Sequence, residues 1–195
     1  YAMDVTDREA IDRLAEMLCA GNVTISALIN NAGFARSGAA ALSQQDLRVN
    51  WDAVIATNLT GAFQLSMAVA PFFRRPGGRI VNISSIAAYT GGRSKGSAIY
   101  AASKAGINGL TVGLAREFGD EGIAVNAIAP GLVTETEFTS RWDPERIRQL
   151  VAETPVGRAG SASEIAATVA FLCGPEAGYI TGQVIHQNGG TYFAP

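Results

Sequence analysis

Four short runs rich in apolar and β-branched residues punctuate the chain, at positions 23–29, 79–83, 123–128 and 183–186. They are apolar throughout instead of alternating with polar residues, the pattern of strands covered on both faces. Each run ends in turn residues: Asn30-Asn31-Ala32-Gly33, Ser84-Ser85, Ala129-Pro130-Gly131 and Asn188-Gly189-Gly190. Between them, helical stretches are predicted over 51–70, 98–118 and 163–172. Two helix starts read as capping boxes, Thr6-Asp-Arg-Glu9 and Ser161-Ala-Ser-Glu164, where hydroxyl and carboxylate satisfy orphan amides. Buried strands alternating with helices predict an α/β fold, a doubly wound parallel sheet with helices on both sides.

Composition narrows the class. With 195 residues, 48% of them hydrophobic and 16% charged, the chain has the length and apolar content of one domain with a real core, which excludes disorder. Fifteen basic residues against seventeen acidic ones leave no basic surplus for nucleic acid. No apolar run is expected to approach the roughly 18 residues of a membrane span, and no signal segment opens the chain. Cys19 and Cys173 sit in apolar helical patterns without a Cys-x-x-Cys or a histidine partner. They are expected to be buried free thiols of a protein in a reducing, cytoplasmic compartment. The first strand carries neither charge nor proline to blunt an edge, and the chain opens abruptly on Tyr1-Ala-Met-Asp4-Val5. Further strands are therefore expected beside it, in a segment preceding residue 1.

In open parallel sheets ligands bind beyond the carboxyl ends of the strands. The polar and small residues there are Asn30 to Gly33, Ser84 and Ser85, and Pro130-Gly131 with the following Leu132-Val-Thr-Glu-Thr136. The sharpest chemical signal is Tyr100-Ala-Ala-Ser-Lys104. Residues four apart share a helix face, so the ammonium is expected near the phenol. A tyrosine of pKa near 10 exchanges protons poorly at neutral pH; a neighbouring cation favours the phenolate, and a shift of ~3 units takes roughly 4 kcal/mol. With five tyrosines and two lysines in 195 residues, chance alone gives this spacing in roughly one sequence in twenty. The serine rim fifteen residues upstream and the Asn-Asn-Ala-Gly turn make a functional reading far stronger than chance.

These segments, taken in order, resemble the short-chain dehydrogenase/reductase family over nearly the whole chain, from Asp4 to Tyr192. Asn30-Asn-Ala-Gly33 looks like the family's strand-four turn and Asn58-Leu-Thr-Gly61 its helix-four asparagine motif. Gly78-Arg-Ile-Val-Asn-Ile-Ser-Ser85 is similar to the serine strand, Tyr100 to Lys104 to the active-site helix, and Asn126-Ala-Ile-Ala-Pro-Gly131 to the segment flanking the nicotinamide. The resemblance implies a Rossmann-type fold and an NAD(P)-dependent interconversion of a ketone and a secondary alcohol. It implies Tyr100 as general acid or base, and Lys104 lowering the Tyr100 pKa and holding the nicotinamide ribose. Ser85 would steady the substrate oxygen, and Asn58 would hold a water that links Lys104 to solvent. Implied cofactor contacts are Asp4 and Val5 near the adenine, Asn31, Ala32 and Gly33 along the ribose, and Pro130, Gly131 and Val133 at the nicotinamide amide. The threonine after Pro-Gly is Thr136 if one residue is inserted, with Thr134 the poorer fit; Asp4 reads alternatively as a helix cap. Ser84, on the opposite face of its strand, is the weaker catalytic candidate, and the lone His186 is expected to be structural.

The sequence departs from the family in two places. It lacks the Thr-Gly-x-x-x-Gly-x-Gly loop, together with surrounding elements on the order of 55 residues, so the choice between NADP and NAD is unreadable, with NADP slightly favoured. The stretch 86–99, carrying Gly91-Gly-Arg-Ser-Lys-Gly96, is longer than usual and would border an unusual substrate pocket; Phe138 and Trp142, ahead of Arg146, suggest a lid. Tyr179 to Tyr192 and Thr154-Pro-Val-Gly-Arg158 look most like 3-oxoacyl-carrier-protein reductases, implying an acyl thioester or other small carbonyl substrate. For an acidic carrier Arg74-Arg75 is the one basic doublet. Small residues on the 98–118 helix (Ala101, Ala102, Ala105, Gly106, Gly109, Gly113) fit either a homodimer or homotetramer contact, which the resemblance implies, or packing within the chain. The alternative to an enzyme is a truncated, non-catalytic binding or assembly module.

Overall fold

A computed structural model describes residues 1–140 and 142–193. Four parallel strands, β1 (Ala27–Asn30), β2 (Arg79–Ile83), β3 (Ala124–Pro130) and β4 (Val184–Gln187), lie side by side in chain order. Parallel neighbours require crossovers, and these are helical. The helices are α1 (Arg8–Ala20), α2 (Gln44–Ile55), α3 (Ala62–Val69), α4 (Ala87–Thr90), α5 (Ala98–Glu117), α6 (Pro144–Ala152) and α7 (Ala162–Cys173).

Successive strand residues point to opposite faces, and the core divides accordingly. Ile80 and Val125 face one cluster with Ile11, Leu65, Val69, Leu114 and Phe118, from α1, α3 and the α5 end. Val81 and Ile128 face a second with Leu172 of α7 and Ala177. Helices thus cover both faces, as the apolar runs of β2 and β3 require. The family-type Rossmann winding is present.

Several boundaries differ from expectation. The first run pairs only from Ala27, with Ile25 making a lone bridge to Phe73. The helix expected over 51–70 begins earlier, at Gln44, where the Ser43 hydroxyl accepts the Asp46 N–H. It then widens into a π-turn over Ala56–Gly61 before α3. The Thr6–Glu9 capping box does not form: Thr6 donates its hydroxyl to Asp4 Oδ1 at 2.8 Å, and Asp7 caps α1 by accepting from Ala10 at 3.1 Å. The Ser161–Glu164 box forms in full.

Two composition-based expectations also need correction. Cys19 is exposed, because the last turn of α1 reaches solvent, and Cys173, at the end of α7, is half-buried. The continuous helical run Gln44–Phe72 is, by length and composition, apolar enough to cross a bilayer (mean hydropathy 1.4 over its best window). In this fold its apolar face is used against α1 and α5.

Candidate active site

A chain of buried side-chain hydrogen bonds fixes the strand ends that carry the site. Asn30 donates through Nδ2 to Asn82 Oδ1 (2.8 Å) and to Ser66 Oγ (3.0 Å). Asn82 donates in turn to Thr111 Oγ1 (2.9 Å), which donates to the Ile107 carbonyl (2.8 Å). β1, β2, α3 and α5 are thereby locked together just behind the rim. Full satisfaction of these buried groups is what makes them tolerable there and rigid.

Beyond β2 the two serines separate. Ser84 is buried and donates to Asn108 Oδ1 (2.6 Å) and to the Lys104 carbonyl (3.2 Å), so its hydroxyl ties the strand to α5. Ser85 turns into the cleft, where its oxygen accepts the Ala87 N–H at 3.1 Å. A hydroxyl that accepts there keeps its own proton free to donate. The Ser85 side chain also acts on the Tyr100 phenol, lowering its pKa.

Tyr100 and Lys104 lie one turn apart on α5, with the ammonium 5.8 Å from the phenol ring centre. The expected depression of the Tyr100 pKa is not found. Burial pushes the phenol above its ordinary value, opposed only by the Ser85 side chain. The reason is geometric: Lys104 lies over the ring and donates to the Ile83 carbonyl at 2.7 Å. The cost falls on the lysine, whose burial lowers its pKa to about 8.

Asn58, buried in the π-turn, spends its whole amide on neighbours. Oδ1 accepts the Phe34 N–H (3.0 Å), and Nδ2 donates to the Phe34 carbonyl (2.9 Å) and to Ser103 Oγ (3.0 Å). This clamps the turn after β1 onto the helix pair and brings Gly33 against the site. A side chain at position 33 would meet Asn58 Oδ1 at 3.2 Å and Lys104 Nζ at 3.3 Å, so the glycine leaves open a cradle faced by an amide and an ammonium.

Other sequence candidates sit as follows. Asn31 and Ala32 are exposed beside Gly33. Gly131 lines the cleft, with its backbone so close to Asn188 that a Cβ would approach to 2.9 Å. Pro130 accepts from the Ile86 N–H through its carbonyl. Val133 bridges to Gly160, and Thr136 pairs hydroxyls with Thr139 at 3.0 Å. Asp4 holds Thr6 through two contacts, which lowers its pKa, and Val5 packs against Gly61. Arg75 is consumed internally, paired with Glu121 and donating to the Ala70 and Phe73 carbonyls, so the Arg74-Arg75 doublet is not a free docking patch. His186 lies between Tyr89 (4.7 Å) and Tyr192 (5.4 Å) in an aromatic cluster and is not among the residues lining the cleft.

The cleft itself holds about 720 Å³, and Ser85, Tyr100 and Gly33 are among the residues that line it. Its outer wall is an aromatic ladder not foreseen as a unit: Tyr100 to Phe138 at 5.5 Å, Phe138 to Trp142 at 5.9 Å, and the Arg146 guanidinium 4.4 Å from the Trp142 ring centre. Among the described residues no cluster could hold a metal ion.

A carbonyl oxygen placed in this cleft would meet a serine proton and a phenol proton together, beside a glycine cradle for a second molecule and its ammonium. Comparison with known proteins identifies the family. Residues 1–192 match the family profile described as Enoyl-(Acyl carrier protein) reductase. The chain belongs to the short-chain dehydrogenase/reductase family of NAD(P)-dependent oxidoreductases. It is 38% identical to the 3-oxoacyl-[acyl-carrier-protein] reductase FabG of Vibrio cholerae, over 98% of this chain and 76% of that protein. It is 40% identical to the FabG of Salmonella typhimurium, over 97% and 76%. Among solved structures, a short-chain dehydrogenase/reductase from Brucella melitensis superposes with a TM-score of 0.88 at 32% identity, covering 98% of this chain and 75% of that one. A blue fluorescent protein from a metagenomic library, solved in complex with NADPH, gives 0.86 at 33% identity, covering 97% and 74%.

Proposed function

We propose that this chain reduces a 3-oxoacyl thioester to the 3-hydroxyacyl thioester with NADPH, and that Ser85, Tyr100, Lys104 and Asn58 form its working set. The observation that carries the reading is Ser85 and Tyr100 lining the same cleft, with the Lys104 ammonium 5.8 Å from the centre of the Tyr100 ring. The substrate and the choice of NADPH follow the relatives' activity and the NADPH-bound neighbour.

The residues present suit a dinucleotide. The Gly33 cradle admits close approach of a ribose to Asn58 and Lys104. Asn31, Ala32 and Gly33 would line that ribose, Pro130, Gly131, Val133 and Thr136 the nicotinamide side, and Asp4 and Val5 the adenine side. When bound, the nicotinamide supplies the hydride. Ser85 donates its free proton to the substrate carbonyl oxygen and stabilises the negative charge that develops there; loss of one such donor costs about 10²–10³ in turnover. Tyr100 gives its proton to the same oxygen, and its raised pKa keeps it protonated and ready in the reducing direction. Lys104, held on the Ile83 carbonyl, keeps its remaining N–H bonds for the ribose. Asn58 positions Phe34 and Gly33, and its π-turn is where a helix frees backbone carbonyls for water on the proton path.

The complete quartet supports chemistry over a binding module. The chain also suits a homo-oligomer: on α5 a Cβ at Gly109 or Gly113 would meet nothing within 4 Å among the described residues, whereas a Cβ at Gly106 would press on Leu59. Val112 on that helix and Phe63 and Met67 on α3 are exposed, which supports a second copy as the covering partner. The two free thiols fit a reducing, cytoplasmic setting. The test is NADPH consumption with a short 3-oxoacyl thioester, with NADH in parallel. Saturable consumption preferring NADPH is expected; turnover of simple alcohols or sugars in place of the thioester would overturn the substrate assignment.

A further inference from the structure

The lining of the cleft mouth is charged against the sign of the whole molecule. The chain carries a formal net charge of −2, yet Arg36, Arg93, Lys95 and Arg146 line this cleft with Glu137 as the sole acidic residue among its described lining. One of these cations has a carboxylate partner, and two others are exposed to solvent. Arg93 pairs with Glu153, Arg36 lies over the Phe34 ring at 5.4 Å, and Lys95 is exposed.

Arg146 differs from them. It is half-buried, its guanidinium is stacked 4.4 Å from the Trp142 ring centre, and one arm donates to Ser94 Oγ at 3.3 Å. No carboxylate among the described residues pairs with it. The Trp142 ring and Ser94 hold the guanidinium in place, and the Ser94 contact uses one of five N–H groups, so the rest stay available for a planar anion. The tether comes from the extended stretch that carries Gly91 to Gly96. That stretch is fastened to α6 by Arg146–Ser94 and to the residue that follows it by Arg93–Glu153. It is also fastened to the opposite wall, where the Gly96 carbonyl accepts the Gly38 N–H at 2.8 Å.

We propose that Arg146 is a specificity-determining residue that binds an anionic oxygen group, a carboxylate or a phosphate, on the part of the substrate distal to the reacting carbonyl. The inference deepens the reductase reading and rests on it. The ladder Tyr100–Phe138–Trp142 supplies an apolar track between the proton donor and the fork. A substrate with a carbonyl at one end, a short apolar stem and an anion at the other fills it. The anion belongs either to a carboxylate on the substrate itself or to a phosphate on the arm that carries a thioester.

Equilibrium binding tests this without turnover. Trp142 fluorescence, read in a Trp51→Phe background, reports on the stacked pair. Matched probes are 4′-phosphopantetheine against pantetheine, and 3-hydroxybutanoate against 2-butanol. The anionic member of at least one pair is expected to bind more tightly, and Arg146→Ala to weaken that member about ten- to hundredfold relative to its neutral partner. Arg146→Lys should recover part of the loss, since a point charge replaces the fork. A response confined to the pantetheine pair places the anion on the carrier arm; one confined to the butanoate pair places it on the substrate. Equal binding of charged and neutral members, or an Arg146→Ala change that weakens both alike, overturns the proposal. Tyr100→Phe kinetics judge the underlying reductase reading separately, so the two can fail independently.

Discussion

Replacing Asn58 by alanine removes three hydrogen bonds at once, and their geometry sets the expected cost. The Phe34 N–H and carbonyl lose partners at 3.0 and 2.9 Å, and Ser103 Oγ loses a donor at 3.0 Å while keeping its own donation to the Tyr100 carbonyl at 2.7 Å. At about 1 kcal/mol net per bond the loss is about 3 kcal/mol. Phe34 is half-buried, so water can replace part of it there; Asn58 itself is 1% exposed, so the small void at its own position stays dry and offsets that gain. Urea unfolding followed by circular dichroism should show a midpoint shift at constant slope, with a melting temperature lower by about 6–12 °C for a chain of this size. Because the clamp presents Gly33, the nucleotide affinity should fall together with stability. A stability change below about 0.5 kcal/mol would refute the clamp and return Asn58 to a purely local role in the π-turn.

Three further outcomes are expected. Lys104 releases its proton near pH 8 when folded but near 10.5 when unfolded, so the unfolded chain binds more protons between those values and stability should rise with pH from about 8 to 10, by an amount on the order of 2–3 kcal/mol. Above pH 10 the raised Tyr100 works in the opposite sense, and Lys104→Met should flatten the lower rise in denaturant titrations across pH. Gly61→Ala would drive a Cβ to 2.8 Å from the Val5 carbonyl, so it should lower the melting temperature and weaken binding of the adenine part of the nucleotide, measured by titration with an adenine nucleotide. Val112→Glu places a charge on the exposed face of α5 and, if the proposed homo-oligomer forms through this face, should lower the sedimentation coefficient toward that of a monomer, with the melting temperature as control; a parent chain that sediments as a monomer, or an unchanged coefficient in the variant, would show that this face is not the contact.

The parallel winding was legible because β2 and β3 are buried on both faces and so read as unbroken apolar runs, while β1, with its first four residues outside the ladder, was over-extended. The Tyr100–Lys104 pair was legible as a spacing, but its electrostatics were not: the phenol rises because burial desolvates it, and the ammonium that was expected to offset this donates to the Ile83 carbonyl, a contact 21 residues away in sequence. Asn58 was found as a motif, whereas its partner Phe34 lies 24 residues away and carries no signal of its own. The Asn30–Asn82–Thr111 chain was missed for the same reason; its members are unremarkable polar residues until the sheet brings them together. The edge of α1 misled twice, over the Thr6 cap and the Cys19 thiol, since a local pattern cannot tell which turn faces solvent.

The most direct measurement is the paired determination of turnover and NADPH affinity for Tyr100→Phe against the parent chain. Loss of the proton donor with the ring and its packing on Phe138 retained should reduce turnover of a 3-oxoacyl thioester by several orders of magnitude, while the NADPH dissociation constant changes by no more than a few-fold. Turnover equal to that of the parent would contradict Tyr100 as the proton donor and, with it, the chemistry assigned to this cleft.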